Sequence, residues 1–105
     1  MRRLNDNNLF YFCMVAREGS YSAAARKLDV SQPAVGMQVA RLERDMGVKL
    51  LEKSGRGVVL TPAGATVYAY ADEMFVLVAE MLAALERGGQ DVLRLAVGVA
   101  EGVPS

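Results

Sequence analysis

The stretch EGSYSAAARKLDVSQPAV, residues 18–35, decides the fold. Gly19 is a natural stop for whatever helix precedes it. Ser22 is a candidate N-cap, and Ala23-Ala24-Ala25-Arg26-Lys27-Leu28 has high helix propensity with little bulk. Small side chains let a second helix approach closely. Asp29-Val30 then makes a tight turn. Ser31 is the next N-cap, and Pro33 falls in the first turn, where a missing N–H costs nothing. The helix this starts runs to about Met46, because Val35, Val39, Leu42 and Met46 recur at spacings of 4, 3 and 4. Gln32, Gly36, Met37, Gln38 and Arg41 lie off that stripe. Gly47 closes the helix, and Arg41 and Arg44 complement its C-terminal dipole. Helix, tight turn, helix is the reading of about residues 21–40.

Upstream, Leu9, Phe12, Cys13 and Ala16 share one helical face, which predicts a helix from about Asn7 to Glu18. Asn5, Asp6 and Asn7 are its candidate N-caps. Cys13 lies on the apolar face and reads as a small buried hydrophobe. Downstream, Leu50–Lys53, the turn Ser54-Gly55-Arg56-Gly57 and Val58–Leu60 read as a hairpin with an arginine at its tip. Thr61 caps the next helix, with Pro62 at its first position. That helix spans about Pro62 to Arg87 and ends at Gly88-Gly89. Val67, Ala71, Met74, Val78, Met81 and Leu85 form a heptad seam along it, widened by Tyr70, Leu77 and Ala84. So apolar a helix asks for more than one neighbour, its own domain and a partner chain. Asp91–Val99 is an apolar, β-branched run of the kind that opens a parallel sheet, which suggests the start of a further domain. Three segments follow: a helical unit with a hairpin over 1–61, the hairpin at about 50–60, a long helix over 62–88 whose seam suits dimerisation, and the beginning of a truncated further domain over 89–105.

The composition narrows the chemistry. The 105 residues are 52% hydrophobic and 23% charged, enough for a folded domain. There is no histidine and one cysteine. Ser-His and Cys-His nucleophile pairs, an internal disulfide and a thiolate zinc cage are therefore excluded. No run of about 18 apolar residues occurs, and the N-terminus has no long apolar stretch of the signal-peptide kind. These features predict a cytoplasmic protein that is not an enzyme and needs no cofactor. The net charge of zero hides an asymmetry. Ten basic and six acidic residues between Met1 and Arg56 give +4, and the remainder carries −4. A basic N-terminal half suggests an anionic partner there.

A winged helix-turn-helix suits DNA. The second helix of such a unit presents its N-terminal side chains to base edges in the major groove. An arginine on a glycine-flanked tip reaches a narrow minor groove, where negative potential is enhanced. The residues also carry a family resemblance. Glu18 to Leu28, Val30-Ser31-Gln32-Pro33-Ala34-Val35, Leu42-Glu43, Gly47-Val48-Lys49-Leu50, Arg56 and Leu60-Thr61-Pro62-Ala63-Gly64 resemble the N-terminal domain of LysR-type bacterial transcriptional regulators over about residues 4–65. Asn8–Phe12, Gly55-Arg56-Gly57 and Val67–Phe75 are similar to the branch of that family containing the sodium/proton-antiporter activator. The sequence departs from the usual pattern at Gly36, where the family usually has Ser, at Leu51, where it usually has Phe, and at Lys53, where Arg is common.

The resemblance implies a mainly α fold, a winged helix-turn-helix followed by a long dimerisation helix. It implies base contacts from Gln32, Pro33 and the surface around Gly36 and Met37. It implies phosphate contacts from Ser22, Ser31, Gln38, Arg41 and Lys53, with Arg56 reading the minor groove. Its partners would be double-stranded DNA and a second copy of the chain, with a tetramer as the higher state and no membrane. A small-molecule or ion effector would bind only through the C-terminal domain. Plainer roles exist for several of these residues. Ser22 and Ser31 serve equally as caps, Pro33 as a helix starter, and Arg41 as a partner of the helix dipole or of Asp45 at i+4. A winged-helix module that binds only protein is the competing class. It would lack a polar and basic face on the third helix and wing, where this chain has Gln32, Gln38, Arg41, Lys53 and Arg56.

Overall fold

A computed structural model of the chain describes residues 5–88. The elements run α1 (Asp6–Glu18), α2 (Tyr21–Leu28), α3 (Gln32–Met46), β1 (Leu51–Ser54), β2 (Gly57–Leu60) and α4 (Pro62–Arg87). This is a mainly helical winged helix-turn-helix with one two-stranded sheet, as expected. The run Asp91–Val99 and the rest of the 89–105 segment lie outside the described residues.

Local chemistry sets most boundaries. The Asn5 side chain accepts from the backbone N–H groups of Asn7 (2.8 Å) and Asn8 (3.2 Å), so α1 opens at Asp6. Ser31 caps α3 as expected, accepting from the Ala34 N–H at 3.2 Å. The cap of α2 corrects the sequence reading. Ser20, not Ser22, accepts from the Ala23 N–H (3.0 Å), and the Ser20 carbonyl accepts the Ala24 N–H. Gly19 explains the shift. Its left-handed φ of 85° ends α1 and delivers the next residue in extended geometry, as a cap requires. Ser22 is left exposed in the first turn, its hydroxyl 3.4 Å from that of Ser20. Asp29 ends α2 with φ 58°, a left-handed position that aspartate tolerates better than most residues.

The chain divides into two compact units between Asp72 and Glu73. In the first, α1, α2 and α3 pack around Leu9, Phe12, Val15, Ala24, Ala25, Val35, Val39 and Leu42, all buried. The predicted stripe of α3 is therefore the inward one, with Met46 half-buried at its end. Each of the larger side chains, Leu, Phe and Val, contributes roughly 1.5–3 kcal/mol on burial. Cys13 is buried among them, and burial pushes its thiol up to about 11, with smaller opposing effects of Arg17 and Asp72. Asn8 is also buried, and its amide has no hydrogen-bond partner among the described residues.

The first part of α4 belongs to this unit. Phe12 meets Tyr68 edge to face, with ring centroids 6.5 Å apart, and Arg17 donates to Asp72 at 2.9 Å. Ala71 is only 3% exposed, so this position of the expected seam is closed by its own unit. In the second unit, Val78, Met81 and Leu85 of the seam are exposed, as are Leu77 and Leu82, and Met74 is half-buried. Among the described residues no helix is long and apolar enough to cross a membrane.

Candidate nucleic-acid interface

The buried side chains of α3 fix which residues point outward. With Val35, Val39 and Leu42 inward, Ser31, Gln32, Pro33, Met37 and Arg41 stand exposed, and Gly36 and Gln38 are partly so. A Cβ added at Gly36 would meet no atom within 4 Å. Nothing in the fold therefore calls for glycine there. Gln32, Pro33 and Gly36 line a cleft of about 480 Å³ together with Tyr21, the first residue of α2.

The wing is a tight antiparallel hairpin. Leu51 pairs with Leu60, Glu52 with Val59, Lys53 with Val58 and Ser54 with Gly57. That register leaves Gly55-Arg56 as a two-residue loop. Gly55 takes the positive φ, 59°, that the first position of a type II′ turn needs. Arg56 at the tip and Lys53 on β1 are exposed and form no hydrogen bond or ion pair among the described residues. The wing is anchored to the turn between α1 and α2. The Val58 N–H donates to the Gly19 carbonyl at 2.9 Å, and a Cβ at Gly57 would collide with that same oxygen.

One carboxylate joins the wing to α3. Glu43 accepts from the backbone N–H groups of Leu50 (2.8 Å) and Leu51 (3.3 Å) and pairs with the Lys49 ammonium at 3.4 Å. From there the connection continues into α4. The Leu50 carbonyl accepts from the Thr61 N–H (3.0 Å), and the Thr61 hydroxyl donates to the Lys49 carbonyl (2.6 Å) and accepts from the Gly64 N–H (2.9 Å). The expected cap at Thr61 is thus present and does more than cap. Lys49, Leu51, Glu52, Lys53, Val58 and Thr61 line a second cleft, of about 400 Å³, and Tyr21 lines this one too.

The arrangement brings four of the ten expected residues, Gln32, Pro33, Gly36 and Lys53, around one side chain that sequence reasoning did not single out. Tyr21 lies between the N-terminal turns of α3, with Gln32, Pro33 and Gly36, and the wing, with Lys53. Its phenol is held protonated to higher pH than usual by burial and by the nearby charge of Glu43. The available signal is an aromatic ring with a polar tip at a helix start. Glu43 was quoted for family likeness alone; its role needs a contact seven residues away, which no local pattern reveals. Ser31 is engaged as a cap and is also exposed, so capping leaves its surface available.

The comparisons with known proteins agree with this geometry. The family model for bacterial regulatory helix-turn-helix proteins of the lysR family matches residues 7–65. The HTH-type transcriptional regulator TfdS of Cupriavidus pinatubonensis is 51% identical over 69 residues, 66% of this chain and 23% of that protein. The transcriptional activator protein NhaR of Escherichia coli is 38% identical over 101 residues, 96% of this chain and 34% of that protein. This chain therefore spans between about a quarter and a third of the length of these relatives. Among solved structures, the BenM_DBD/catB site 1 DNA complex superposes with a TM-score of 0.76 at 34% identity, covering 83% of this chain and 97% of that one. With more than half of its residues matched by the family model, the chain belongs to the lysR family of bacterial regulatory helix-turn-helix proteins.

Proposed function

We propose that the chain is the DNA-binding part of a LysR-type transcriptional regulator. It binds an inverted-repeat operator as a homodimer, with α3 in the major groove and the Gly55-Arg56 tip in the adjacent minor groove. The observation that carries this reading is the pair of clefts flanking Tyr21. One is walled by the outward, polar residues of α3, the other by the lysine-bearing face of the wing. Gln32 and Pro33, with the bare backbone at Gly36 and the thioether of Met37, meet base edges. Ser22, Ser31, Gln38, Arg41 and Lys53 meet phosphates, and Arg56 reads groove width. The second copy joins through the exposed apolar face of α4. Effector binding belongs to the domain that begins after α4, and the regulator works in the cytoplasm on the nucleoid. The relatives bearing the names of transcriptional regulators and the DNA-bound structural neighbour support this reading. Titration of duplex DNA at increasing salt tests it. Each phosphate neutralised contributes a slope of roughly −0.9 in log K against log salt. Steep weakening is expected, and affinity that ignores salt would overturn the electrostatic basis of the interface.

A further inference from the structure

Tyr21 is half-buried, and its hydroxyl has no hydrogen-bond partner among the described residues. It forms the shared wall of both clefts, with Gln32, Pro33 and Gly36 on one side and Lys49, Lys53 and Thr61 on the other. This position has a geometric consequence that rests on the DNA-binding reading above. A helix in a major groove and a wing tip in the adjacent minor groove are separated by one sugar-phosphate strand. The side chain standing between helix and wing must face that strand. We infer that Tyr21 is a backbone-reading residue whose hydroxyl donates a hydrogen bond to a phosphate of the strand dividing the two grooves.

The surroundings suit an anion. Lys53 is exposed on the same cleft, and its positive charge has no ion-pair partner among the described residues. Lys49 lines it as well, although its ammonium is 3.4 Å from Glu43. Glu52 also lines the cleft, so the two lysines leave it positive by one charge. A phenol adds what the lysines lack. Its rigid ring, fixed by partial burial, places one donor at one height, whereas a lysine supplies a mobile point charge. A neutral donor to a charged oxygen also forms the stronger class of hydrogen bond. Phosphate contacts set register without reading bases. Tyr21 would therefore fix how far α3 and the wing enter their grooves together.

Tyr21→Phe removes one oxygen and keeps the ring, so it separates this role from packing. The 105-residue chain and its Phe variant are titrated against a duplex selected by the unaltered chain, at fixed salt. The expected result is about tenfold weaker binding, an unchanged order of preference among mismatched duplexes, and an unchanged thermal midpoint. A second measurement does not depend on any variant. Neutral methylphosphonates are placed one at a time along the duplex and bound to the unaltered chain. One position in the strand between the two contacted grooves should weaken the unaltered chain and weaken the Phe variant far less. Equal affinity of the two chains, or equal sensitivity to every methylphosphonate, would overturn the inference and leave the DNA-binding reading standing. A Phe variant with altered base preference would overturn it too, by making Tyr21 a base reader. An unaltered chain that selects no duplex would remove the reading on which the inference rests.

Discussion

Gln32 and Arg56 are both exposed and polar, yet the proposed interface gives them different work. Gln32 sits in the first turn of a helix anchored by buried Val35, Val39 and Leu42, so its backbone is fixed beside Pro33 while its amide stays exposed. A positioned amide pairs with a base edge and discriminates by about 1–3 kcal/mol at one base pair. Arg56 sits on a two-residue loop and has no hydrogen-bond or ion-pair partner among the described residues. In the proposed interface its charge suits the narrow minor groove of A·T-rich sequence, where groove width is the feature to be read. Gln32→Ala is therefore expected to change the preferred base at one major-groove position. Arg56→Ala is expected to weaken binding and abolish preference for A·T-rich flanks. Competition binding with duplexes altered at single positions measures both. Equal, sequence-independent losses from the two substitutions would show that the roles are wrongly divided.

At the scale of elements, the glycines separate what the fold needs from what the surface needs. Gly64, in the first turn of α4, lies against the Leu50 carbonyl, and an added Cβ would collide with that oxygen. This close approach lets Thr61 cap α4 and hold β1 at once. Gly36 has open space where its Cβ would be and lies inside a helix, where glycine is about 1 kcal/mol worse than alanine. Gly64→Ala should destabilise by about 1–3 kcal/mol, and Gly36→Ala should stabilise by about 1 kcal/mol. Urea unfolding of the two variants checks both signs, and a destabilised Gly36→Ala would mean that the fold itself requires glycine there. The same contrast explains what sequence reading reached. The extent of α3, its cap at Ser31 and its stop at Gly47 depend on neighbours in sequence, and all were legible. The hairpin was legible too, one residue early at Leu50, because two glycines flank Arg56. The cap of α2 was misplaced at Ser22 because the choice between two serines is made by the backbone at Gly19. The links from Glu43 to Leu50 and Leu51 and from Gly19 to Val58, and the position of Tyr21 between two clefts, are tertiary. Periodicity and capping rules have nothing to say about them.

For the whole molecule, the decisive feature is the apolar face on the second half of α4. The heptad reading treated Val67 through Leu85 as one seam. The structure closes Ala71 within its own unit and leaves Val78, Met81 and Leu85 each at least 42% exposed. The stretch available to a second copy is thus the later one. Burying such side chains is favourable by roughly 1.5–3 kcal/mol each, and a two-fold contact buries every position twice. Val78→Glu would place paired like charges in that contact, where desolvation is costly. Sedimentation should show a dimer for the unaltered chain and a monomer for this variant, with helicity retained and DNA affinity much reduced. An unaltered chain that stays monomeric at micromolar concentration would count against the α4 contact.

Dimer, recognition helix and wing meet in one measurement, the selection of binding sites by the unaltered chain from a random duplex pool. In the proposed dimer two copies related by a two-fold axis present two α3 helices to DNA, so the selected sites should be inverted repeats. Their half-sites should lie about one helical turn, or a multiple of it, apart, with A·T-rich sequence where the two Arg56 tips fall. A pool that emerges with no common sequence, or with single half-sites in no fixed relation, would contradict the account.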